Sequence, residues 1–186
     1  MPQVLPPLPL LDIKDFPYTI QEWFKKIQQI PTTLGTVWTS TSGTSKDFTS
    51  IPPWAKKIDI GFVGVSTSGN NGIIIQLGDS GGIESTGYLS GATDGTPVSA
   101  TSTAGLIVTA GWNGAYDMNG KISLCLQNES TNTWTSQGVV YFNGAGVCCF
   151  SGGSKSTSAV LDRIRITTTT GVDTFDAGSV NISYNP

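Results

Sequence analysis

Histidine is absent from the 186-residue chain. This absence removes the side chain that most often acts as a general base near neutral pH, activates a nucleophilic Ser or Cys, and binds metal ions. Chemistry carried by carboxylates alone would remain possible. We therefore expect a protein that is not an enzyme, with no cofactor and no bound metal.

Charge is also scarce, since 12% of the residues are charged and the net charge is −3. The basic residues are spread along the chain, and the pairs Lys25-Lys26 and Lys56-Lys57 are too small to form the clustered positive face that a phosphate backbone requires. Apolar runs are a few residues long, far short of the roughly 20 that span a bilayer, and no signal-peptide pattern opens the sequence. We expect no nucleic-acid partner, no membrane insertion and no export by a standard leader.

Cysteine occurs three times, as Cys125, Cys148 and Cys149. An odd number without CxxC spacing predicts neither a zinc site nor a disulfide framework. Adjacent residues of a strand point to opposite faces, so one of Cys148 and Cys149 is expected to pack inside as a small hydrophobe. Free thiols favour assembly in a reducing cytoplasm.

The C-terminal quarter shows the clearest pattern in the sequence. Ile164 and Ile166 alternate with arginines, and Val180 and Ile182 alternate with polar residues. This period of two is typical of strands with one wet face. We interpret the segment as a pair of strands with turns at Gly171 and at residues 177–178, which other strands must cover because a lone hairpin is not stable.

The rest of the chain from residue 35 is rich in Gly, Ser and Thr and reads as short strands between turns. We place these strands at residues 35–42, 57–66, 72–77, 85–90, 104–110, 121–127, 137–143 and 146–150. The predicted turns are residues 68–72, 79–82, 93–97, 118–120 and 151–154. The spacing predicts one all-β head domain over residues 35–186, an antiparallel β-sandwich of jelly-roll type.

Residues 1–18 hold five prolines among apolar side chains. Proline removes backbone donors, so the segment is predicted to run extended in polyproline-like form. A solvated linker is normally polar, whereas this one offers Leu and Phe, and we interpret it as an anchoring arm; the alternative is a disordered tail.

A short amphipathic helix is predicted over residues 19–31. Thr19 and Glu22 have capping-box spacing, and Pro31 ends the pattern. Such a helix is too short to persist alone, so it must dock on its own β-domain, on equivalent helices of other subunits, or on a larger particle. The candidate anchoring or oligomer-interface residues of the arm and helix are Leu5, Leu8, Leu10, Ile13, Phe16, Ile20, Trp23, Phe24 and Ile27.

The loop at residues 112–117 is the candidate recognition site. Trp112 and Tyr116 could stack on a sugar ring while Asn113 and Asp117 bind its hydroxyl groups. The alternative is that Trp112 caps the end of the sandwich core.

Three aspartates, Asp162, Asp173 and Asp176, could be taken for a glycosidase pair or a calcium site. We favour a structural interpretation, in which Asp173 lies beside a turn and Asp162 pairs with Arg163 or Arg165.

Four runs carry a family resemblance: residues 48–58 (FTSIPPWAKKI), 64–69 (GVSTSG), 162–167 (DRIRIT) and 173–179 (DTFDAGS). Together they resemble a β-sandwich module in structural proteins of tailed bacteriophages, typically tail-fibre or other surface-fibre components. The likeness runs from about residue 35 to residue 184. The family often has a small polar residue where Pro53 stands and a β-branched residue where Ala55 stands.

The resemblance implies a structural protein of the virion surface, assembled in the host cytoplasm, with homotrimerisation. The implied partners are a second and third copy of the chain, other virion proteins of the capsid or tail, and host-surface carbohydrate. Our leading hypothesis is a surface fibre, head fibre or capsid decoration protein held by its N-terminal arm. The alternative is a receptor-binding tail-fibre tip protein for host adsorption.

Overall fold

The computed structural model describes residues 32–97 and 99–186, together with Ile20. The predicted arm of residues 1–18 lies outside the described residues, and so does the predicted helix of residues 19–31 apart from Ile20. The eight other candidate anchoring residues lie outside them as well.

The described chain forms fourteen strands. In chain order they are β1 Thr33–Leu34, β2 Trp38–Thr39, β3 Ser45–Thr49, β4 Lys57–Thr67, β5 Ile73–Asp79, β6 Gly82–Ile83, β7 Leu89–Thr93, β8 Ser99–Ser102, β9 Leu106–Ile107, β10 Asp117–Asn128, β11 Thr133–Asn143, β12 Val147–Ser156, β13 Arg163–Thr168 and β14 Phe175–Asn185.

The strands make two antiparallel sheets. The larger sheet has the order β1-β14-β4-β10-β11-β12-β7-β8, with β2 also paired to β14, and the smaller has the order β3-β13-β5-β6, with β9 paired to β5. The chain passes repeatedly from one sheet to the other, as β3, β4 and β5 do in turn, which is the crossing that a jelly-roll type requires. The predicted all-β antiparallel sandwich is confirmed.

The core lies between the sheets and is built from the alternate residues of each strand. Ile58, Ile60 and Phe62 of β4 face Ile164 and Ile166 of β13, and all five are almost fully buried in one cluster. Each such side chain contributes roughly 1.5–3 kcal/mol by leaving water. The period-two pattern at Ile164 and Ile166 therefore predicted the inward residues of β13 correctly.

The predicted pairing of the two C-terminal strands is wrong. β13 lies between β3 and β5 in the smaller sheet, and β14 lies between β1 and β4 in the larger sheet. The connection at residues 169–174 carries the chain across the sandwich. Alternation identifies a strand but not its partner, because any half-buried strand shows the same period.

Three glycine-containing segments predicted as turns lie inside strands instead. They are residues 118–120 in β10, 151–154 in β12 and 177–178 in β14. In β10 and β14 the register shifts at these points, which marks β-bulges. Gly178 has a φ of 87°, and a Cβ there would lie 2.3 Å from the carbonyl oxygen of Gly64. Glycine is needed because two backbones meet, and not because the chain reverses.

Three other predicted strands are displaced or shorter, and one of them, at residues 104–110, is reduced to β9. Residues 85–88 do not form a strand. In place of strand-to-strand backbone hydrogen bonds, the Tyr88 hydroxyl accepts from the Leu77 N–H at 2.6 Å and donates to the Glu84 carbonyl at 2.8 Å. The predicted strand at 35–42 is reduced to β2. The polar strand β3, whose one buried apolar residue is Phe48, gave no alternation and was missed.

Candidate functional site

The predicted glycan-binding loop closes one end of the sandwich just before β10. Trp112 is only 6% exposed, and its indole Nε1–H donates to the Thr67 hydroxyl at 2.8 Å. Its ring meets Phe142 and Tyr116 in edge contacts, with centroids 5.4 and 6.4 Å away. Trp112 therefore occupies the core-capping position of the alternative interpretation, and its ring is not free to stack on a sugar.

The other members of this loop are largely bonded within it. The Asn113 side-chain oxygen accepts from the Ala115 N–H at 2.9 Å, and Asn143 donates to the Asp117 carboxylate at 3.4 Å. Tyr116 is half-buried and stacked at 6.1 Å on Phe142. A sugar at this loop would depend on the outer edge of Tyr116 and on the exposed Asn113.

The aspartates considered for catalysis each have a structural partner. Asp162 pairs with Arg163 at 2.7 Å. Asp173 accepts from the backbone and side-chain nitrogens of Asn71, both at 2.9 Å, and Asp176 accepts from the Ser66 hydroxyl at 2.6 Å. These contacts hold strand ends and turns, which agrees with the structural interpretation.

Arg165, two residues after Arg163 on β13, also pairs with a carboxylate. Its guanidinium binds both carboxylate oxygens of Asp47 on β3, at 2.7 and 2.8 Å. The ion pair joins neighbouring strands of the smaller sheet, and its partner was missed because β3 itself was missed.

A polar cluster that sequence reasoning missed joins β12 to the β5–β6 hairpin. Lys155 is 8% exposed, and its ammonium lies 2.5 Å from the Glu84 carboxylate and 5.3 Å from the Tyr88 ring centre. The Ser158 hydroxyl lies 2.6 Å from Asp79 and 2.9 Å from Glu84. The residues of this cluster are spread from residue 79 to residue 158, so no local sequence motif predicts that they come together.

The two carboxylates of this cluster are held ionised. Burial raises the pKa of Glu84, but hydrogen bonds from Lys155 and Ser158 outweigh it and leave that pKa below its usual value. The Ser158 hydroxyl, with the Gly81 N–H, lowers the pKa of Asp79. Glycoside hydrolysis needs one carboxylic acid that keeps its proton, and neither group has that environment.

The outer face of the larger sheet carries exposed apolar residues on β11 and β12. Val139 lies opposite Phe150, and Tyr141 lies opposite Cys148. Phe150 is 51% exposed, Val139 44% and Tyr141 42%. Cys149, the next residue of β12, is buried and accepts from the Ala110 N–H, so the prediction that one of the two adjacent cysteines packs inside is confirmed.

A shallow groove of about 490 Å³ crosses this face. We call it the outer-face groove, and its main lining side chains are Lys121, Ser123, Gln137, Val139 and Phe150. It was missed because residues 151–154 were interpreted as a turn. In the structure these residues belong to β12, and Gly152, on the same face as Phe150, places no side chain beside the ring.

A second groove, of about 570 Å³, lies where β2 and β3 form neighbouring edges of the two sheets. Its floor holds Trp38, Phe48 and Tyr184, but the last two are buried and Trp38 packs edge-on against Phe175 at 5.0 Å. Little aromatic surface is left open here.

Two further kinds of site, a membrane-spanning helix and a metal site, concern residues 32–97 and 99–186. No helix in these ranges has the length and hydrophobicity that crossing a membrane would need. No three His, Cys, Asp or Glu side chains within them come together where they could hold a metal ion.

Comparisons with known proteins give no family. No protein-family model matches the chain, and no curated protein matches it. Among solved structures, the chain is similar to a protein of unknown function from Shewanella oneidensis MR-1, with 7% identity and a TM-score of 0.32 over 82% of this chain and 74% of the other. A similarity this low carries no argument about function.

Proposed function

We propose that the chain is a non-enzymatic structural protein of a bacteriophage virion. In this proposal it is a homotrimeric surface fibre or capsid decoration protein, held to the capsid or tail by its N-terminal arm, and its β-sandwich is exposed to the host surface. The observation that carries the proposal is the phage-module resemblance of residues 48–58 and 162–179, together with the sandwich that these residues help to build.

The resembling runs lie at core positions. Ile51 and Ala55 of the first run are buried, as are Ile164 and Ile166 of the second. The Ile51 N–H also donates to the Asp162 carbonyl at 2.9 Å, which joins the two runs directly. The likeness is therefore a likeness of scaffold, as expected for a module whose role is structural.

The position of the first described strand supports anchoring from one side. β1 pairs with β14, and the Thr32 hydroxyl donates to the Asn185 side chain at 2.6 Å. Both ends of the sandwich thus lie at one edge of the larger sheet. β8 at the opposite edge is seven strand spacings away, about 34 Å. A particle holding the arm would leave that far edge and the outer-face groove accessible.

The alternative, a receptor-binding tail-fibre tip, is favoured by the exposed Phe150 and Tyr141. Exposed aromatic side chains clustered on one face mark interaction surfaces. Both functions place the sandwich on the outside of the particle. They differ in whether the main role of the protein is to form part of the particle surface or to recognise the host.

The test is incorporation into phage particles. Full-length chain and a variant lacking residues 1–31 would be supplied to a phage deleted for the gene, and purified particles would be probed with antibody. We expect full-length chain on the particles and the truncated chain, folded by its thermal unfolding curve, absent from them. Incorporation of the truncated chain would contradict anchoring by the arm, and absence of both would contradict the virion role.

Oligomeric state is tested separately by light scattering on the full-length protein. A mass three times that of the 19.5 kDa chain is expected. A strict monomer would contradict the trimer.

A further inference from the structure

The outer-face groove combines an open aromatic ring with polar groups in one regular row of the sheet. Lys121, Val139 and Phe150 are direct cross-strand neighbours on β10, β11 and β12. The next row holds Ser123 and Gln137. Neighbours in such a row lie about 5 Å apart, so an apolar ring, an ammonium and an amide fall within the span of one or two sugar rings.

Gly152 leaves the Phe150 ring uncovered on one side. It is the next residue of β12 on the same face, and it pairs with Gln137 and Gly91. A Cβ built on Gly152 would meet only the Ser136 carbonyl oxygen, at an ordinary 3.5 Å, and its φ is not positive. Neither packing nor conformation requires glycine here, and its effect is to keep the ring accessible.

The apolar patch at the groove is too small for a stable protein interface. It consists of Val139, Tyr141, Cys148 and Phe150, since further exposed apolar residues of this sheet, such as Val63 and Leu89, lie on the other strands β4 and β7. A stable interface uses roughly 20–30 residues and about 800 Å² on each partner. A small ligand with one apolar face fits this patch better than a second copy of the chain. Sugar rings have such a face, and they stack on aromatic side chains while polar groups bind their hydroxyls.

The charged groups beside the groove carry an excess of positive charge. Lys121 and Lys57 both approach the Asp59 carboxylate, at 3.4 and 3.6 Å, and the Ser123 hydroxyl donates to the same carboxylate at 2.5 Å. Two cations share one anion, which leaves one positive charge uncompensated in that group. Lys121, which lines the groove, is exposed and can turn toward a ligand.

We propose that the outer-face groove binds an acidic saccharide, with the sugar ring stacked on Phe150, its carboxylate paired with Lys121 and a hydroxyl bonded to Gln137. That such a sugar belongs to a host surface rests on the proposed virion function, but the site itself does not. The site also differs from the loop at residues 112–117, where the ring is buried.

The experiment is isothermal titration of the full-length chain with oligogalacturonate and with the same oligomer methyl-esterified. Esterification removes the charge and keeps the sugar rings. We expect the acidic oligomer to bind at least tenfold more tightly than the ester. Phe150→Ala and Lys121→Gln should each weaken binding at least tenfold, and Lys121→Gln should also remove most of the preference for the acid.

Matched variants separate binding from folding. Val63→Ala removes another exposed apolar side chain from the same sheet, on β4, and Lys46→Gln removes a positive charge on the smaller sheet; both should bind as wild type does. Gly152→Thr adds a side chain over Phe150 at a position with room for a Cβ. It should keep the thermal unfolding midpoint and lose at least tenfold in affinity.

Several outcomes would overturn the proposal. They are no binding of oligogalacturonate, equal binding of acid and ester, and wild-type affinity in Phe150→Ala or in a folded Gly152→Thr. Dissociation of an oligomer by Phe150→Ala would also overturn it, because the face would then be an interface between copies. Particle incorporation tests the virion role independently, so failure of one proposal is distinguishable from failure of the other.

Discussion

The Trp112 loop and the outer face of the larger sheet both place aromatic residues beside glycine, but the rings have opposite environments. Trp112 is sealed into the end of the sandwich and bonded to Thr67. Phe150 stands half-exposed beside Lys121 and Gln137. The contrast shows that an aromatic residue in a Gly-rich loop is not by itself a recognition signal, since the backbone of such a loop can also direct the ring inward.

The backbone explains the difference. Gly111 has a φ of 65°, a conformation that glycine adopts freely, and it precedes the residue whose side chain enters the core. On β12, alternation leaves no such choice, because Cys149 points inward and Phe150 must then point outward. The direction of the strand keeps the Phe150 ring exposed. No conformational change is therefore needed before a ligand can contact it.

The largest expected effect comes from removing the buried ring. Trp112→Ala should lower the free energy of unfolding by about 3–5 kcal/mol, because it leaves a cavity among Phe142 and Tyr116 and takes a hydrogen-bond donor from Thr67. Urea denaturation followed by circular dichroism would measure it. A loss below about 1 kcal/mol would mean that Trp112 does not cap the core.

An intermediate effect is expected at the Lys155 cluster. Glu84→Gln should cost about 1.5–3 kcal/mol, because it leaves the buried ammonium without its charged acceptor. Lys155 and Phe150 both belong to β12, where the Lys155 ammonium lies inside and the Phe150 ring lies outside. Glu84→Gln therefore tests the inner face of that strand. Urea denaturation at pH 7 measures this loss in the free energy of unfolding. An unchanged free energy would contradict the stabilising role of the Glu84 carboxylate.

The same cluster predicts how stability depends on pH. The folded-state pKa of Glu84 lies below its usual value of 4.5, so the unfolded chain binds the proton first as the pH falls. The stabilisation should be complete above about pH 4.5 and disappear as the pH falls through the folded-state pKa. Unfolding midpoints measured from pH 7 to pH 3 should decline less steeply in Glu84→Gln than in wild type, and parallel curves would contradict the assignment.

The smallest effect on stability is expected on the outer face. Phe150→Ala should change the free energy of unfolding by less than about 1 kcal/mol, because the ring is half-exposed and its loss opens no cavity. The same urea experiment compares it directly with Trp112→Ala. Equal losses in the two variants would break the contrast between a structural ring and an exposed one.

Local pattern predicted much of the fold because burial on strands follows the period of two. Ile164 and Ile166 lie inward as expected, and so does one of the two adjacent cysteines, which is Cys149. Strand partners could not be predicted in the same way. Alternation is identical whichever strand lies alongside, and β13 and β14 were therefore paired with each other instead of with strands far away in sequence.

The glycines misled the prediction of turns. Gly120 and Gly178 sit at bulges, where they let backbones approach closely, and Gly152 and Gly153 run through the middle of β12. Interpreting them as turns hid the continuous strands that present Phe150. The outer-face groove could not be found without the register that joins β10, β11 and β12.

The most direct test of the account maps oligogalacturonate onto the full-length, isotopically labelled protein by NMR. We predict that the amide resonances that shift belong to residues 119–123, 137–141 and 148–152, which flank Lys121, Gln137 and Phe150. Shifts confined to residues 112–117 would contradict it, because they would place recognition in the loop that the structure uses to close its core.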